Sequence, residues 1–86
     1  MWTILTTKTF DKNFKKLDSK TSLKVVSLVS DLKSGPAPKN WDIKKMIGWD
    51  DEYRCRIGSY RVLYKVIKKD IVIAMIDVDH RKDIYK

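Results

Sequence analysis

The chain has 86 residues, which is enough for one domain over residues 1–86 and too few for a Rossmann or barrel domain. Hydrophobic residues make up 43% of it and charged residues 35%, a globular balance that excludes a disordered tail. Nineteen Lys and Arg residues against eleven Asp and Glu give a net charge of +8, which favours a polyanionic partner.

Several other classes of protein are excluded by what the sequence lacks. The longest wholly apolar run, residues 71–76, is far shorter than the roughly 20 residues of a membrane span. The N-terminus lacks the charged start and long apolar stretch of a signal peptide. Cys55 is the single cysteine and His80 the single histidine, so we expect no disulfide, no metal site and no cofactor. We therefore expect a soluble cytoplasmic domain that contacts no membrane.

The first half of the chain predicts one strand and two helices. Residues 2–7 form a short β-rich run, and Thr7 can cap a helix whose apolar residues recur at helical spacing: Phe10, Phe14 and Leu17. Asp18 and Ser19 break this helix and can cap a second one. Its apolar stripe consists of Val25, Leu28, Val29 and Leu32, and Gly35 and Pro36 end it. The short turn between the helices predicts an antiparallel hairpin with a shared core.

From residue 40 onward the hydrophobic period changes to two. This pattern predicts strands over residues 53–57, 60–67 and 71–78, with residues 43–47 leading into them. Gly58-Ser59 is typical of a two-residue type II′ hairpin turn. The predicted fold is a single α+β domain of order β-α-α-β-β-β, an antiparallel meander sheet with a helical hairpin packed on one face.

The Gly58-Ser59 turn fixes which residues face each other across the hairpin. It pairs Arg56 with Arg61, and alternation places the apolar and aromatic residues of both strands on the face that meets the helices. The opposite face carries Arg54, Arg56, Arg61, Leu63 and Lys65. Fifteen of the nineteen cations are Lys, so the concentration of Arg here is notable; chance placement is the alternative.

Directly opposed like charges destabilise a sheet. We expect no acid among these cations, and an anion held between them would remove the conflict, with phosphate as the best fit. The alternative is that Asp77, Asp79 or Glu52 neutralises the arginines in a surface ion-pair network.

The C-terminal segment carries further polar candidates at the end of the last strand. Histidine is the side chain whose ordinary pKa lies nearest neutrality, so His80 is a candidate to move a proton, or else a surface residue. Tyr85 is a candidate site residue or a plug for the end of the core.

Two segments carry a resemblance to a known family. Residues 53–66, YRCRIGSYRVLYKV, and residues 79–85, DHRKDIY, resemble the RelE family, toxins of toxin–antitoxin systems within the RelE/ParE superfamily. The Phe-x-x-x-Phe-x-x-Leu helix and the approach formed by residues 44–48 fit the same pattern, so the resemblance covers nearly the whole chain.

The resemblance implies a ribosome-dependent endoribonuclease that cuts mRNA in the ribosomal A site without a metal. In that chemistry a ribose 2′-hydroxyl attacks the adjacent phosphate and leaves a 2′,3′-cyclic phosphate and a 5′-hydroxyl. It also implies a cognate antitoxin protein that binds the toxin, with the ribosome and mRNA as its other partners. We expect the antitoxin to place an apolar helix beside the helical hairpin and acids near the arginines.

The resemblance also implies roles for single residues. Arg54 and Arg56 would hold the RNA backbone, and Arg61 would stabilise charge on the scissile phosphate. Arg81 would assist the leaving oxygen, and Tyr85 would position or deprotonate the 2′-hydroxyl. Besides Arg54 and Arg56, the candidates for RNA binding are Lys44, Lys45 and Lys82. His80 is our own candidate for proton transfer.

Three other functions compete with this interpretation. A ParE-like toxin shares the fold but inhibits DNA gyrase and lacks the nuclease residues. A nucleic-acid-binding module would need only the basic sheet and would tolerate loss of Tyr85. An inactive toxin kept for antitoxin binding would retain the fold alone.

Overall fold

The computed structural model describes residues 1–48 and 51–80. In this part of the chain the elements are β1 (Thr3–Thr6), α1 (Lys8–Phe14), α2 (Ser19–Leu32), β2 (Asp42–Lys45), β3 (Glu52–Ile57), β4 (Tyr60–Ile67) and β5 (Val72–His80). A short 3-10 turn, Lys68–Asp70, joins β4 to β5. The predicted α+β class and the packing of the helices on one face of the sheet are confirmed.

Both helices begin at the predicted caps. Thr7 Oγ1 accepts a hydrogen bond from the Phe10 amide at 3.0 Å, and an Asp18 carboxylate oxygen accepts one from the Thr21 amide at 2.7 Å. The backbone hydrogen bond from Thr21 lowers the pKa of Asp18, as expected for an ionised cap. α1 ends at Phe14, earlier than the spacing predicts, and Leu17 lies in the following turn with its amide bonded to the Phe14 carbonyl.

One core lies between the helices and the sheet. α2 contributes Val25, Leu28 and Leu32, each fully buried, and α1 contributes Phe10. The buried strand residues are Cys55, Ile57, Val62, Tyr64, Val66, Ile73, Met75 and Val78. They follow the predicted alternation in β3 and β4, so the opposite face of these strands carries the arginines.

The sheet has the order β1-β5-β4-β3-β2. β1 runs parallel to β5, and all the other pairs are antiparallel. β2 is a strand that the sequence analysis missed, because four residues with one apolar side chain, Ile43, give no period-two signal. It pairs with β3 so that Asp42 faces Arg56 and Lys44 faces Arg54.

The hairpin of β3 and β4 has the predicted register. Ile57 pairs with Tyr60, Arg56 with Arg61 and Cys55 with Val62. Gly58 has φ +57° while Ser59 does not have a positive φ, as a type II′ turn requires. The turn therefore determines which two arginines are opposed across the sheet.

A β-bulge in β5 was not predicted. Leu63 pairs with Asp77 and Tyr64 with Met75, which leaves Ile76 as the extra residue. The Thr7 hydroxyl donates to the Ile76 carbonyl at 2.7 Å, so the cap of α1 also holds the bulge.

Two buried titratable groups beneath the sheet are kept neutral. Burial raises the pKa of the Cys55 thiol to about 12, so this cysteine is protonated at neutral pH and unreactive. Burial also raises the pKa of Tyr64, which stacks on Tyr53 with ring centroids 5.5 Å apart. Its hydroxyl donates to the Pro36 carbonyl at 2.5 Å and ties the α2–β2 connection to the core.

No helix within the described residues is long and apolar enough to span a membrane.

The left-handed backbone at Gly58 predicts the effect of a side chain there. A Cβ at this position meets no atom within 4 Å, so Gly58→Ala acts through backbone strain alone. We expect it to lower the free energy of unfolding by about 1 kcal/mol, measured by urea denaturation. Ser59→Ala, in the same turn, is the control and should change stability little; equal effects of the two variants would contradict a type II′ turn.

Candidate functional site

A small depression, with a volume of about 10 Å³, lies on the face of the sheet opposite the helices. It is lined by three neighbouring strands, which contribute Asp42 and Lys44 from β2, Arg54 and Arg56 from β3, and Arg61 from β4. Alternation along each strand and the β2–β3–β4 register bring these side chains together. We refer to these five residues as the arginine cluster.

The register forms a row across four strands in which two arginines lie between two acids. Asp42 faces Arg56, Arg56 faces Arg61, and Arg61 faces Asp79 on β5. Arg56 Nε lies 3.8 Å from Asp42 Oδ2 in an ion pair. The next row holds two cations, because Lys44 faces Arg54.

The expectation that no acid lies among the cations is therefore wrong. The carboxylate that pairs with Arg56 is Asp42, which lies on β2, a strand that the hydrophobic pattern does not reveal. Of the acids that it offered as neutralising groups, Asp77 instead accepts a hydrogen bond from the Asn13 side-chain amide at 2.7 Å. Asp79 is the cross-strand neighbour of Arg61.

Arg61 is the buried member of the cluster, with 2% of its surface exposed. A guanidinium stays charged in proteins, so its burial removes the water that stabilises the charge. Opposite charges or hydrogen bonds must then stabilise it instead. Four cations and one carboxylate leave the cluster with an excess of positive charge. An anion bound between Arg56 and Arg61 would relieve their repulsion and would gain from the reduced screening around Arg61.

The structure separates two other candidates from this cluster. Lys45 is not among the lining residues; its ammonium lies 3.8 Å from an Asp51 carboxylate oxygen, which Lys68 also contacts at 3.8 Å. His80 pairs with Tyr60 at the end of the sheet, and the two rings meet edge to face with centroids 5.5 Å apart. These residues line a second cavity together with residues of α1 and the turn that follows it.

The remaining candidates, Arg81, Lys82 and Tyr85, lie outside the described residues. Over residues 1–48 and 51–80, no group of three or more His, Cys, Asp or Glu side chains is placed to hold a metal ion.

Comparison with known proteins identifies the family. Residues 4–85 match the family model described as ParE toxin of type II toxin-antitoxin system, parDE. A Methanocaldococcus jannaschii protein that bears the name RelE1 is 38% identical over 76 residues, which cover 87% of this chain and 84% of the relative. The chain belongs to the RelE/ParE family of type II toxins. The resemblance to the RelE family is thereby confirmed.

Solved structures of RelE proteins share the fold. A chain of the RelB-RelE antitoxin-toxin complex from Methanococcus jannaschii matches with a TM-score of 0.85 and 30% identity, covering 94% of both chains. A chain of the RelE-RelB complex from Pyrococcus horikoshii OT3 matches with a TM-score of 0.83 and 29% identity, covering 93% of this chain and 94% of the other. The isolated E. coli RelE toxin has the same fold at 21% identity and a TM-score of 0.80, covering 99% of this chain and 92% of that one.

The arginine cluster predicts that phosphate stabilises the folded protein. Inorganic phosphate at about 50 mM should raise the melting temperature by about 2–4 °C more than chloride at equal ionic strength, because a ligand that binds only the folded state stabilises it. The measurement is thermal unfolding followed by circular dichroism. Arg56→Gln should remove this difference, whereas Lys69→Gln, an exposed cation in the β4–β5 turn, should keep it. An equal difference in all three proteins would contradict an anion site in the cluster.

Proposed function

We propose that this RelE-family toxin is a ribosome-dependent endoribonuclease that cuts mRNA in the ribosomal A site and so inhibits translation. The observation that carries the proposal is the arginine cluster, with Arg56 and Arg61 opposed across the hairpin and Arg61 buried. Arginines fixed in this way suit a phosphodiester, since each guanidinium offers a planar set of donors to phosphate oxygens.

In the proposed reaction the 2′-oxygen of a ribose attacks the adjacent phosphorus. The bond from the 2′-oxygen to phosphorus forms, and the bond from phosphorus to the 5′-oxygen of the next nucleotide breaks. The products are a 2′,3′-cyclic phosphate and a 5′-hydroxyl. One proton leaves the 2′-hydroxyl and one is delivered to the 5′-oxygen, and the reaction uses no metal and no cofactor.

The charge of this reaction gives the arginines their roles. The pentacovalent transition state carries more negative charge on the phosphate oxygens than the substrate does, and cations fixed in advance stabilise that charge without reorganising. Arg61 takes this role. Arg56, Arg54 and Lys44 hold the RNA backbone on either side of the scissile phosphate, with Lys45 and Lys82 as further RNA contacts.

Proton transfer falls to the C-terminal segment. Following the family resemblance, Tyr85 positions or deprotonates the 2′-hydroxyl, and Arg81 assists the leaving oxygen. His80 is the remaining candidate for proton transfer, although its pairing with Tyr60 places it apart from the arginine cluster. A group that transfers a proton must come within hydrogen-bond reach of the reacting oxygen, so His80 would need to turn toward the cluster.

The shape of the cluster supports a role for the ribosome. A depression of about 10 Å³ lined by five residues offers few contacts to hold a flexible RNA strand in the in-line geometry that attack requires. mRNA held in the A site would reach the toxin already ordered. This proposal places the protein in the cytoplasm, where translation occurs.

We further propose that a cognate antitoxin binds and neutralises the toxin. The M. jannaschii and P. horikoshii relatives occur in complexes of RelE with RelB, which supports such a partner. α2 leaves Leu23 and Val26 exposed at 70% and 54%, a surface suited to an apolar helix. Acidic residues of the antitoxin would complement the arginine cluster.

Gyrase inhibition is the second candidate function. It is favoured by one observation, the match of residues 4–85 to a family model described by the ParE toxin. This alternative requires no phosphate chemistry at the arginine cluster, so substitutions there separate the two functions.

The central test is a cell-free translation reaction in which mRNA 5′ ends are mapped with and without ribosomes. We expect cuts within codons that appear only when ribosomes are present. Arg61→Gln and Tyr85→Phe should each lower the cleavage rate by about 100-fold or more, because each removes a group that acts in the transition state. Lys24→Gln, an exposed cation on α2, is the control and should cut at nearly the wild-type rate.

Two results would overturn the proposal. Intact mRNA with unimpaired translation in this reaction would exclude the nuclease, and inhibition of DNA supercoiling by the same preparation would establish the gyrase alternative. Cleavage that Arg61→Gln leaves unchanged would place the reaction away from the arginine cluster.

A further inference from the structure

Asp42 is the one carboxylate among the residues that line the arginine cluster in the described part of the chain. It faces Arg56 directly in the β2–β3 register, and its Oδ2 atom lies 3.8 Å from Arg56 Nε. The two side chains are 56% and 45% exposed, so a ligand in the depression can reach both. Neither the family roles given above nor the proposed reaction assigns a function to this acid.

The position of Asp42 bears on the repulsion between the two opposed arginines. Arg56 has Arg61 on one side and Asp42 on the other, so the carboxylate offsets the like-charge contact when no phosphate is bound. An ion pair exposed to this extent is weak, because water screens it. A phosphate oxygen with two donors of the same guanidinium interacts more strongly than this single contact.

We propose that Asp42 is an internal counter-anion to Arg56. It pairs with the guanidinium in the free protein, and the RNA phosphate displaces it on binding. Because the carboxylate stays at the edge of the bound RNA, it also weakens the affinity of the toxin for RNA. This proposal rests on the proposed function, since it assumes that RNA phosphate binds in the arginine cluster.

The test measures RNA binding as a function of salt. The probe is a fluorescein-labelled 2′-O-methyl RNA dodecamer, which cannot be cleaved because its 2′-oxygens are blocked, titrated by fluorescence anisotropy between about 20 and 200 mM KCl. Asp42→Asn should bind about threefold more tightly than wild type at low salt. The slope of log affinity against log salt should become steeper by about 0.7, as expected when the interface gains one net positive charge on a single strand.

Two comparison variants separate this role from a general effect of charge. Asp70→Asn makes the same change of charge at the exposed β4–β5 turn and should alter the affinity and the slope much less. Asp42→Glu keeps the charge and should keep the wild-type affinity. In an Arg56→Gln background, the effect of Asp42→Asn on affinity should be smaller than in the wild type, because the loss of the pair with Arg56 no longer contributes and only the repulsion between the carboxylate and the RNA is removed.

The outcomes distinguish failure of this proposal from failure of the proposed function. Weaker binding by Asp42→Asn, or a change equal to that of Asp70→Asn, would overturn the role of Asp42 while leaving the RNA site in place. RNA binding that neither Arg54→Gln nor Arg61→Gln weakens would show that RNA does not bind the arginine cluster, and both proposals would fail together.

Discussion

The site depends on one electrostatic constraint, the placement of two arginines opposite each other with one of them buried. Arg56 and Arg61 are fixed as neighbours by the register of β3 and β4, and Arg61 is almost wholly removed from water. An acid lies at each end of the cross-strand row that contains the two arginines: Asp42 on β2 faces Arg56, and Asp79 on β5 faces Arg61. The ion pair between Asp42 and Arg56 is exposed and weak, so an anion that binds Arg56 more strongly can replace the carboxylate.

The sheet makes this arrangement rigid. The Gly58 turn sets the register, the buried residues on the reverse face hold β3 and β4 against the helices, and β2 adds Asp42 and Lys44 at the edge. Paired strands keep the backbone positions of these residues at a constant spacing without a ligand, and preorganisation of this kind makes charges effective toward a developing charge. The Cys55 thiol and the Tyr64 hydroxyl, on the face that packs against the helices, are neutral, so the charged groups of β3 and β4 that can bind a ligand lie on the opposite face.

Local signals in the sequence were sufficient to predict the helix caps, the hairpin register and the face that carries the arginines. Gly58-Ser59 is a strong signal because a two-residue turn at this position determines which residues of β3 and β4 face each other along the whole hairpin. Non-local pairings were not predictable in this way. β2 has one apolar residue among four, the bulge at Ile76 becomes visible only when β4 and β5 are paired, and the parallel pairing of β1 with β5 depends on the whole sheet.

The same distinction applies to the site. Arg54, Arg56 and Arg61 were located from strand alternation alone, whereas Asp42 and the burial of Arg61 follow from contacts between strands. Lys44 and Lys45 are neighbours in the sequence but do not share a site, because adjacent residues of a strand point to opposite faces. Lys44 joins the cluster and Lys45 pairs with Asp51.

An NMR titration of the arginine side chains would show whether one phosphate binds between Arg56 and Arg61. The chain has four arginines, so their Nε–H signals can be assigned by single substitutions and followed as a 2′-O-methyl RNA trinucleotide is added. We expect the Arg56 and Arg61 signals to shift together and with the same midpoint, because one phosphate binds between them. Shifts confined to the lysine amines, with the Arg56 and Arg61 signals unmoved at saturation, would contradict it.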